Sequence, residues 1–516
     1  MKHTAKKSSK STRSNRLIGF FASDRFFYII LGFSVLSAIW VAISSLYPMA
    51  FDEDFHLGMI RLYAEHWLPF SIRQVPEANV FGSVVTDPSY LFHYLMSFPY
   101  RILDGLGASE TTVVITLRLM NVAMFAVALL LYRKLLLRIR VSRVVTNVVL
   151  ALFVLIPVVP LLAGQINYDN VLLMLVPGSM LLALNVREGL RSRKVIRMHS
   201  LLALLLLLIF GTLVKYAFLP IAAGIFLIIL YEIIRVVRHD KHWWQRLLMG
   251  LKSLSVRMKW LFGVLFIIAI ILFGQKYGTN LVKYHDPVPD CGAVLTVEQC
   301  MPYGPWGRDY RYSQTADQRE KKNAVAYTVI DWVPGMWRRL YFTIAGPTIG
   351  YDTQKPLPIV SIAGIVLVVG GALLLLRYGR EIFHEYPVSW LFVIPSVFYI
   401  FAVWLQVYKL YQYTAWPVAI NGRYVIPLLP LLGVIVALGY VKFARHIGAV
   451  KYAGIAVVIV LLLSLQGGGI TTYIVRSQDT WFMPNSWMQD ANGVLRDALK
   501  PALYEGGGWF SYRGGP

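Results

Sequence analysis

The chain has 516 residues, of which 57% are hydrophobic and only 15% charged, and its net charge is +23. An ordinary soluble protein carries about a quarter charged residues, so this composition excludes that class. The basic residues stand in short blocks beside apolar runs, which is typical of cytoplasmic loops and of contact with anionic lipids rather than of nucleic-acid binding.

The apolar runs are about 20 residues long, the length of a helix that crosses the hydrocarbon layer. None of them alternates with the period of two that a membrane barrel needs. We therefore predict an all-α polytopic membrane protein with about eleven transmembrane helices and extracytoplasmic juxtamembrane helices.

The chain begins with a polar, basic segment, residues 1–25, which we predict to be a disordered cytoplasmic tail. A transmembrane domain over residues 26–466 follows. Its first predicted span, 26–47, is too long for a signal-peptide core and is read as a retained helix. The other predicted spans are 112–132, 144–163, 169–186, 200–215, 217–236, 260–277, 357–376, 388–407, 425–441 and 450–466.

The connecting segments alternate in charge. Basic blocks follow every second span, at Arg133 to Arg143, Arg187 to Arg197, Arg235 to Lys259, Arg377 to Arg380 and Lys442 to Arg445. Such blocks mark cytoplasmic loops. The chain is thus predicted to lie in a bacterial cytoplasmic membrane, with its N-terminus inside and its C-terminus outside.

Three long segments are predicted to lie outside: a first outer loop at 48–110, a large outer loop at 278–356, and a C-terminal tail at 467–516. Residues 89–103 are apolar but only about 15 long, near the range in which length alone does not decide between a span and a surface helix. If they crossed the membrane, every later basic block would change sides, so we predict an interfacial helix there. The Gly-rich end, Gly506 to Pro516, is predicted to be disordered.

The large outer loop holds the only two cysteines, Cys291 and Cys300. Two cysteines in an oxidising compartment often form a disulfide. Their shared loop and close spacing favour that bridge, and two separate thiols are the alternative.

Acidic residues cluster at the start of the first outer loop, where Asp52, Glu53 and Asp54 precede His56. One interpretation is capping, with Asp52 as the N-cap of a helix whose first turn is acidic. The second is a functional site, because capping requires one acid and not three beside a histidine. Asp52, Asp54 and His56 could also bind a divalent ion.

That helix is predicted from apolar residues at helical spacing, namely Phe55, Met59, Leu62, Tyr63 and Trp67. Two further acids lie at the outer face. Asp87 precedes Pro88 and is either a turn residue or part of a site. Asp169 stands in a polar segment between two predicted spans and either caps the next helix or contributes to a site.

Three cations fall in or beside apolar spans, where a charge is costly and commonly faces a cavity or a partner. Arg118 lies inside the second span and is expected to pair with an acid. Lys215 and Arg423 lie near span ends and could reach the interface. Together they indicate an anionic ligand, such as a lipid phosphate, approached from outside. The sequence contains no nucleotide-binding loop and no zinc-site spacing.

Several short motifs resemble those of GT-C type glycosyltransferases, in particular the superfamily of protein O-mannosyltransferases and aminoarabinose transferases. The segment from Phe51 to Gly58 resembles their first-loop motif. The segment from Asp87 to Leu91 resembles their second-loop motif, without its histidine and one of its prolines. Arg118-Leu119 and Asp169 occupy corresponding places, and the segment from Asn421 to Pro427 resembles a pattern of related uncharacterised bacterial membrane proteins.

The resemblance covers the plan of residues 26–465 and implies an inverting glycosyltransferase that takes a sugar from a polyprenyl-phosphate donor. The acceptor would be an extracytoplasmic glycan, lipid or protein. The resemblance implies no certain cofactor and leaves a divalent metal ion open.

The resemblance also implies roles for individual residues. Asp52 would be the general base, Glu53 would pair with Arg118, and Asp169 would orient the acceptor. The residues implied in substrate binding are His56, Asp87, Arg118, Lys215, Tyr216, Arg423 and Tyr424.

Two other functions remain open. A lipid or glycan transporter would also use charges near the membrane, but we find no paired repeats of the kind transporters show. A non-catalytic envelope scaffold would bind glycan through its outer loops, and its acidic residues would tolerate neutral substitution.

Overall fold

The structure, a computed structural model, describes residues 8–49, 52–192, 196–341, 359–477 and 479–500. Its regular elements are all helices, and among these residues the only strand-like pairing is an isolated antiparallel bridge between Ser45 and Phe482. The helices in the first half of the chain are α1 (Ser8–Phe21), α2 (Asp24–Ser44), α3 (Glu53–Ala64), α4 (Leu91–Gly105), α5 (Glu110–Arg138), α6 (Arg143–Val154), α7 (Val158–Ala163), α8 (Asp169–Arg191), α9 (Met198–Val214), α10 (Leu219–His239), α11 (Trp243–Lys252) and α12 (Val256–Phe273).

The second half contains short helices in the large loop, followed by long apolar ones. They are α13 (Thr279–Tyr284), α14 (Cys291–Val294), α15 (Val297–Cys300), α16 (Gly304–Ser313), α17 (Ala324–Tyr327), α18 (Val333–Tyr341), α19 (Ile359–Glu385), α20 (Trp390–Thr414), α21 (Leu429–His446), α22 (Ala453–Leu465), α23 (Ile470–Arg476) and α24 (Ser486–Leu499). A π-helical turn, Gly274–Gly278, joins α12 to α13.

Nine helical segments of the described chain are long and apolar enough to cross a membrane. They fall on nine of the eleven predicted spans and establish a multi-pass, all-α membrane protein. The predicted spans 144–163 and 200–215 fall on shorter apolar helices. The first of these is broken between α6 and α7, where Pro157 has no N–H to continue the hydrogen-bonding pattern.

The bundle is built around α5 and α8, which pack against each other. α2 packs on α5, while α9 and α10 pack on α8, and α20 joins them through α10. One end of this bundle, which we call the site end, carries the starts of α3 and α8, the end of α9 and the 3-10 turn Gly422–Leu428. These four segments bring the predicted site residues together.

The N-terminal segment differs from its prediction. Residues 1–25 were expected to be disordered, but Ser8–Phe21 forms α1. Phe21 is buried and packs its ring against Phe26, while the Asn147 amide donates to the Phe21 carbonyl at 2.9 Å. The apolar end of the segment is therefore held by the bundle, a contact that its basic composition did not reveal.

The C-terminal segment also packs on the bundle. The Met483 N–H donates to the Ser44 carbonyl at 2.8 Å, and Trp481 is buried. In α24, the Asn492 side chain accepts a hydrogen bond from the Trp40 indole at 3.0 Å. Residues 467–477 and 479–500 are thus attached to the end of α2, beside the site, while the predicted disordered end, Gly506 to Pro516, lies outside the described residues.

Two loop predictions can be compared with the structure. Residues 89–103 largely coincide with α4, which is not among the candidate membrane spans. In the large loop, Cys291 and Cys300 form a disulfide, as their shared loop and spacing favoured. The bridge closes a nine-residue separation and holds α14 beside α15.

Candidate functional site

Asp52 immediately precedes α3 and has a left-handed backbone conformation, with φ 69° and ψ 30°. Aspartate and asparagine tolerate this region better than most residues with a side chain. The Asp52 side chain makes no capping hydrogen bond, so the capping interpretation is wrong for this residue. Its carboxylate, 54% exposed, instead pairs with Arg423 at 2.5 Å.

Glu53, the next residue, points the opposite way into the bundle. The Arg118 guanidinium donates to both of its carboxylate oxygens, at 2.8 and 2.7 Å, and both side chains are fully buried. The same two oxygens accept the Ile166 and Met49 N–H groups, at 3.0 and 2.8 Å. The predicted pairing of Glu53 with Arg118 is therefore present as a bidentate ion pair.

Arg118 uses its remaining donors to hold the end of α2. It donates to the Ala42 and Ser45 carbonyls, at 3.0 and 2.7 Å, and to the Leu46 carbonyl at 3.3 Å. A guanidinium in a dry interior is tolerated only when such acceptors surround it. This network fixes α2, α5 and the start of α3 relative to one another, and so fixes the position of Asp52.

The other predicted acids and cations of the site end meet in one chain of charges. Lys215 donates to Asp169, and the second carboxylate oxygen of Asp169 lies 4.0 Å from the Arg423 guanidinium, which in turn pairs with Asp52. We call Asp52, Arg423, Asp169 and Lys215 the charge cluster. Three of its members are buried, and Asp52 alone has a largely exposed side chain.

Local sequence explains how these side chains are presented. Lys215 follows α9 in an extended conformation, which ends that helix and turns the side chain toward α8. Asp169 begins α8, where its N–H is held by the Asn167 side chain at 2.9 Å. Arg423 stands in a 3-10 turn whose start is fixed by the Asn421 side chain at 3.1 Å.

The charge cluster sets the ionisation of Asp52. The part of the Asp52 side chain that is buried opposes its ionisation. The charge and hydrogen bond of Arg423, followed by the charges of Lys215 and Arg308, outweigh burial and lower the pKa of Asp52 below its ordinary value. Asp52 is therefore an ionised group, beside the cations Arg423, Lys215 and Arg308.

Aromatic rings line the charge cluster. The Lys215 ammonium lies 4.4 Å from the centre of the Tyr168 ring and 5.5 Å from that of Tyr424. The Tyr216 hydroxyl accepts a hydrogen bond from Gln406 at 3.1 Å. The predicted residues Tyr216 and Tyr424 therefore do lie with Lys215 and Arg423, and Tyr168 is an additional wall that sequence reasoning did not identify.

His56 lies below this surface. Its Nδ1 is 2.9 Å from the Nε2 of His93. The centres of the His56 and Tyr168 rings are 4.5 Å apart, in an edge-to-face arrangement. Burial, followed by the neighbouring His93, Arg423 and Lys215, lowers the pKa of His56 well below its ordinary value. His56 is thus a neutral, buried support of the site.

The structure does not assemble the metal ligands that the sequence allowed. Asp54 is exposed on the first turn of α3, while His56 is buried and bonded to His93. Over the described parts of the chain, no group of three or more His, Cys, Asp or Glu side chains is arranged to hold a metal ion.

Asp87, in the first outer loop, is a further predicted acid near the charge cluster. Its carboxylate accepts the Ser89 N–H at 2.8 Å, as an aspartate in a turn does, and burial raises its pKa despite that bond and the charge of Lys276. Tyr303 interacts electrostatically with both Asp87 and Asp52. Asp87 is therefore near the charge cluster but outside its chain of ion pairs.

Sequence reasoning did not identify Arg308, His93, Tyr303 or Lys276. Lys276 is fully buried and donates to the Val85 carbonyl at 2.7 Å, which attaches the first loop to α12. A lysine inside an apolar run was a usable signal for that role. Arg308 and Tyr303 carried no such signal, because the large loop contains many polar residues.

No protein-family model matches this chain, and no curated protein matches it significantly in sequence. The site is accordingly interpreted from its own geometry.

Proposed function

We propose that this protein is an inverting glycosyltransferase that moves a sugar from a polyprenyl-phosphate donor to an acceptor outside the cytoplasmic membrane of a bacterium. The observation that carries the proposal is the charge cluster. It places an accessible carboxylate, Asp52, beside two buried cations, Lys215 and Arg423, at the end of a membrane bundle. A carboxylate can take the proton of an acceptor hydroxyl, and cations can bind a lipid phosphate, so this combination suits both substrates.

In the proposed reaction, Asp52 accepts the proton of the acceptor hydroxyl as the hydroxyl oxygen bonds to the anomeric carbon. The bond from that carbon to the phosphate oxygen breaks on the opposite face, which inverts the configuration. The leaving lipid phosphate keeps the electron pair and gains negative charge. Cations that are already in place where this charge develops lower the barrier.

The pairing of Asp52 with Arg423 links the basicity of Asp52 to the binding of the donor. While the pair is intact, Arg423 stabilises the carboxylate and makes Asp52 a weak base. A donor phosphate competes for the same guanidinium, for which phosphate is a strong partner. Binding of the donor therefore raises the basicity of Asp52 at the moment when a proton acceptor is needed.

The proposed orientation places the site end outside. The disulfide Cys291–Cys300 belongs to that end and requires an oxidising compartment. The basic loops Arg133 to Arg143 and Arg235 to Lys259 belong to the other end, as expected of cytoplasmic loops. We count α6–α7 and α9 as short spans and so propose eleven crossings, with the N-terminus inside and the C-terminus outside.

The test compares the envelope glycans of cells that carry the protein with those of a deletion strain complemented by Asp52→Asn or by Asp54→Asn. Asparagine keeps the size of Asp52 and its tolerance of a left-handed backbone, but cannot accept the proton. We expect one sugar decoration to be lost in the deletion and in Asp52→Asn at unchanged protein abundance, because general-base catalysis contributes about 10²–10⁴-fold. Asp54 is exposed and outside the charge cluster, so Asp54→Asn should restore the decoration.

If Asp52→Asn restores the sugar decoration, the transferase proposal is wrong, and a transporter or a scaffold is favoured. Loss of the decoration in both variants would instead indicate that the two carboxylates act together, as they would if they shared a metal ion.

A further inference from the structure

The large loop presents a rigid helix, α16, beside the site. Its start is held by the Cys291–Cys300 disulfide and by Gly307, where a side chain would come within 2.5 Å of the Met301 carbonyl oxygen. Tyr303, just before α16, lies against Gly82. At the other end, the rings of Tyr312 and Trp416 are 5.3 Å apart. The helix is therefore attached at both ends to the site end of the bundle.

One face of α16 carries a fixed aromatic surface. Trp306 and Tyr310 are one turn apart, their ring centres are 5.1 Å apart, and their planes are within 10° of parallel. The Trp306 indole donates to the Asp290 carboxylate at 2.7 Å, which fixes the ring. Both rings are half-buried, so each keeps part of its surface free.

Charged groups surround this aromatic surface. Asp309 shares the face with Trp306 and Tyr310, and Arg308 donates to its carboxylate at 2.8 Å. Asp290 is exposed, and the other of its carboxylate oxygens accepts no hydrogen bond from any residue that the structure describes. Arg308, 38% exposed, also acts electrostatically on Asp52, which connects this face to the charge cluster.

We propose that Trp306 and Tyr310, with Asp290 and Asp309 at their edge, bind a neutral sugar ring of the acceptor. This inference rests on the proposed transferase function and narrows its acceptor to a carbohydrate. A sugar ring has an apolar face of C–H groups, which lies flat on an aromatic ring, and an edge of hydroxyl groups, which donate to carboxylates. Both complements are present: Trp306, Tyr310 and Asp309 lie on α16, and Asp290 immediately precedes α14.

Membrane lipid fits this face less well. Acyl chains would remove water from the exposed Asp290 carboxylate without offering a hydrogen bond, which is costly. Asp309 is less affected, because its side chain is 14% exposed and already pairs with Arg308. Lipid phosphates would be repelled by the same carboxylates. Sugar hydroxyls donate to them, and sugars therefore satisfy the charges as well as the rings.

The experiment measures how fast the sugar that is absent from the deletion strain reappears after expression of the full-length protein is induced. The variants are Trp306→Leu and Tyr310→Leu, which keep apolar bulk but remove the ring, and Tyr310→Phe, which keeps the ring. Tyr413→Leu is the control, because Tyr413 is an exposed tyrosine of α20 that the charge cluster does not contact. The linkage of the transferred sugar is determined in the same samples.

We expect the two ring-removing variants to slow the transfer by about tenfold at unchanged abundance, the scale of a lost aromatic contact. Tyr413→Leu should stay within about twofold, Tyr310→Phe should slow transfer less than Tyr310→Leu, and the linkage should join the sugar to another sugar. Transfer at the normal rate by Trp306→Leu and Tyr310→Leu overturns the inference, as does a linkage to a protein side chain or a lipid.

Asp52→Asn keeps the two proposals apart. If it abolishes transfer while the leucine variants do not, the transferase stands and the acceptor surface on α16 fails. If the deletion strain loses no sugar, both proposals fail.

Discussion

Asp52 and Glu53 are adjacent in the chain, and each pairs with an arginine, but the two ion pairs differ in what they leave available. The four donors around Glu53 occupy both of its oxygens, and a carboxylate offers about four acceptor positions. Asp52 accepts one hydrogen bond, from Arg423, among the residues that the structure describes. About half of its side chain is exposed, and the described residues leave its other acceptor positions unfilled.

Within this one motif, Glu53 therefore supports the fold, and Asp52 is available for chemistry. A carboxylate whose acceptor positions are all filled inside the protein has none left for a substrate, so the Glu53–Arg118 pair can only hold the fold. Asp52 has capacity left and lies where a substrate can arrive. The position of a charged residue in a motif is therefore less informative than the number of its hydrogen-bonding positions that the fold leaves open.

The largest expected effect comes from breaking the buried pair. Glu53→Gln leaves the Arg118 charge buried without its partner, and we expect a loss of about 3–5 kcal/mol of stability, seen as low abundance and aggregation in detergent. The matched control is Glu110→Gln, which removes the exposed Arg61–Glu110 pair and should cost about 0–1 kcal/mol. Wild-type abundance and melting temperature in Glu53→Gln would mean that the pair is not needed to hold the fold.

The second expected effect concerns the Asp52–Arg423 pair and should change activity without changing abundance. Arg423→Lys keeps a positive charge near Asp52 and Asp169 but loses the planar fork that binds phosphate oxygens, so transfer should slow by about tenfold or more at normal abundance. Arg138→Lys is the control, because that exposed arginine pairs with Glu188 away from the charge cluster. If transfer is unchanged in Arg423→Lys, Arg423 acts only through its positive charge, and its planar group is not needed.

A third change tests how far the buried network extends. The Tyr473 hydroxyl bonds to the Ser45 side chain and accepts the Trp481 indole N–H at 3.1 Å, while the Ser45 carbonyl accepts from Arg118. Tyr473→Phe should lower stability by about 1–2 kcal/mol and leave transfer unchanged. Tyr452→Phe, at an exposed tyrosine, should change neither thermal unfolding nor transfer. A Tyr473→Phe protein that is stable but slow in transfer would connect the C-terminal segment to the chemistry.

The sequence predicted the Glu53–Arg118 pair better than the Asp52–Arg423 pair. The apolar runs predicted the long helices, and an arginine within the second of those runs predicted a buried acidic partner, which is Glu53. The pairing of Asp52 with Arg423 joins residues 371 positions apart. No local pattern encodes such a contact, because it depends on how α3, α8 and the Gly422–Leu428 turn pack.

The incorrect predictions have a related cause. The Asp52 capping interpretation was wrong because a left-handed backbone turns its carboxylate away from the first turn of α3. The tail prediction for residues 1–25 gave weight to basic residues and missed the anchoring by Phe21. Composition predicts solvation of a segment on average, whereas single apolar side chains decide whether the bundle holds it.

The smallest expected effect concerns pH. The pKa of Asp52 is lowered from 3.8, so its carboxylate stays ionised as the pH falls, and His56 stays neutral because its pKa lies well below 6.5. Transfer in membranes should therefore change by less than about twofold between pH 7 and pH 5. The pKa of Asp87 is raised from 3.8, so a base at Asp87 would take up its proton earlier as the pH falls. A decline of activity across that interval, together with an Asp87→Asn protein that is slow at both pH values, would move the general base from Asp52 to Asp87. The carboxylate of Asp52 would then serve only to position the arginine.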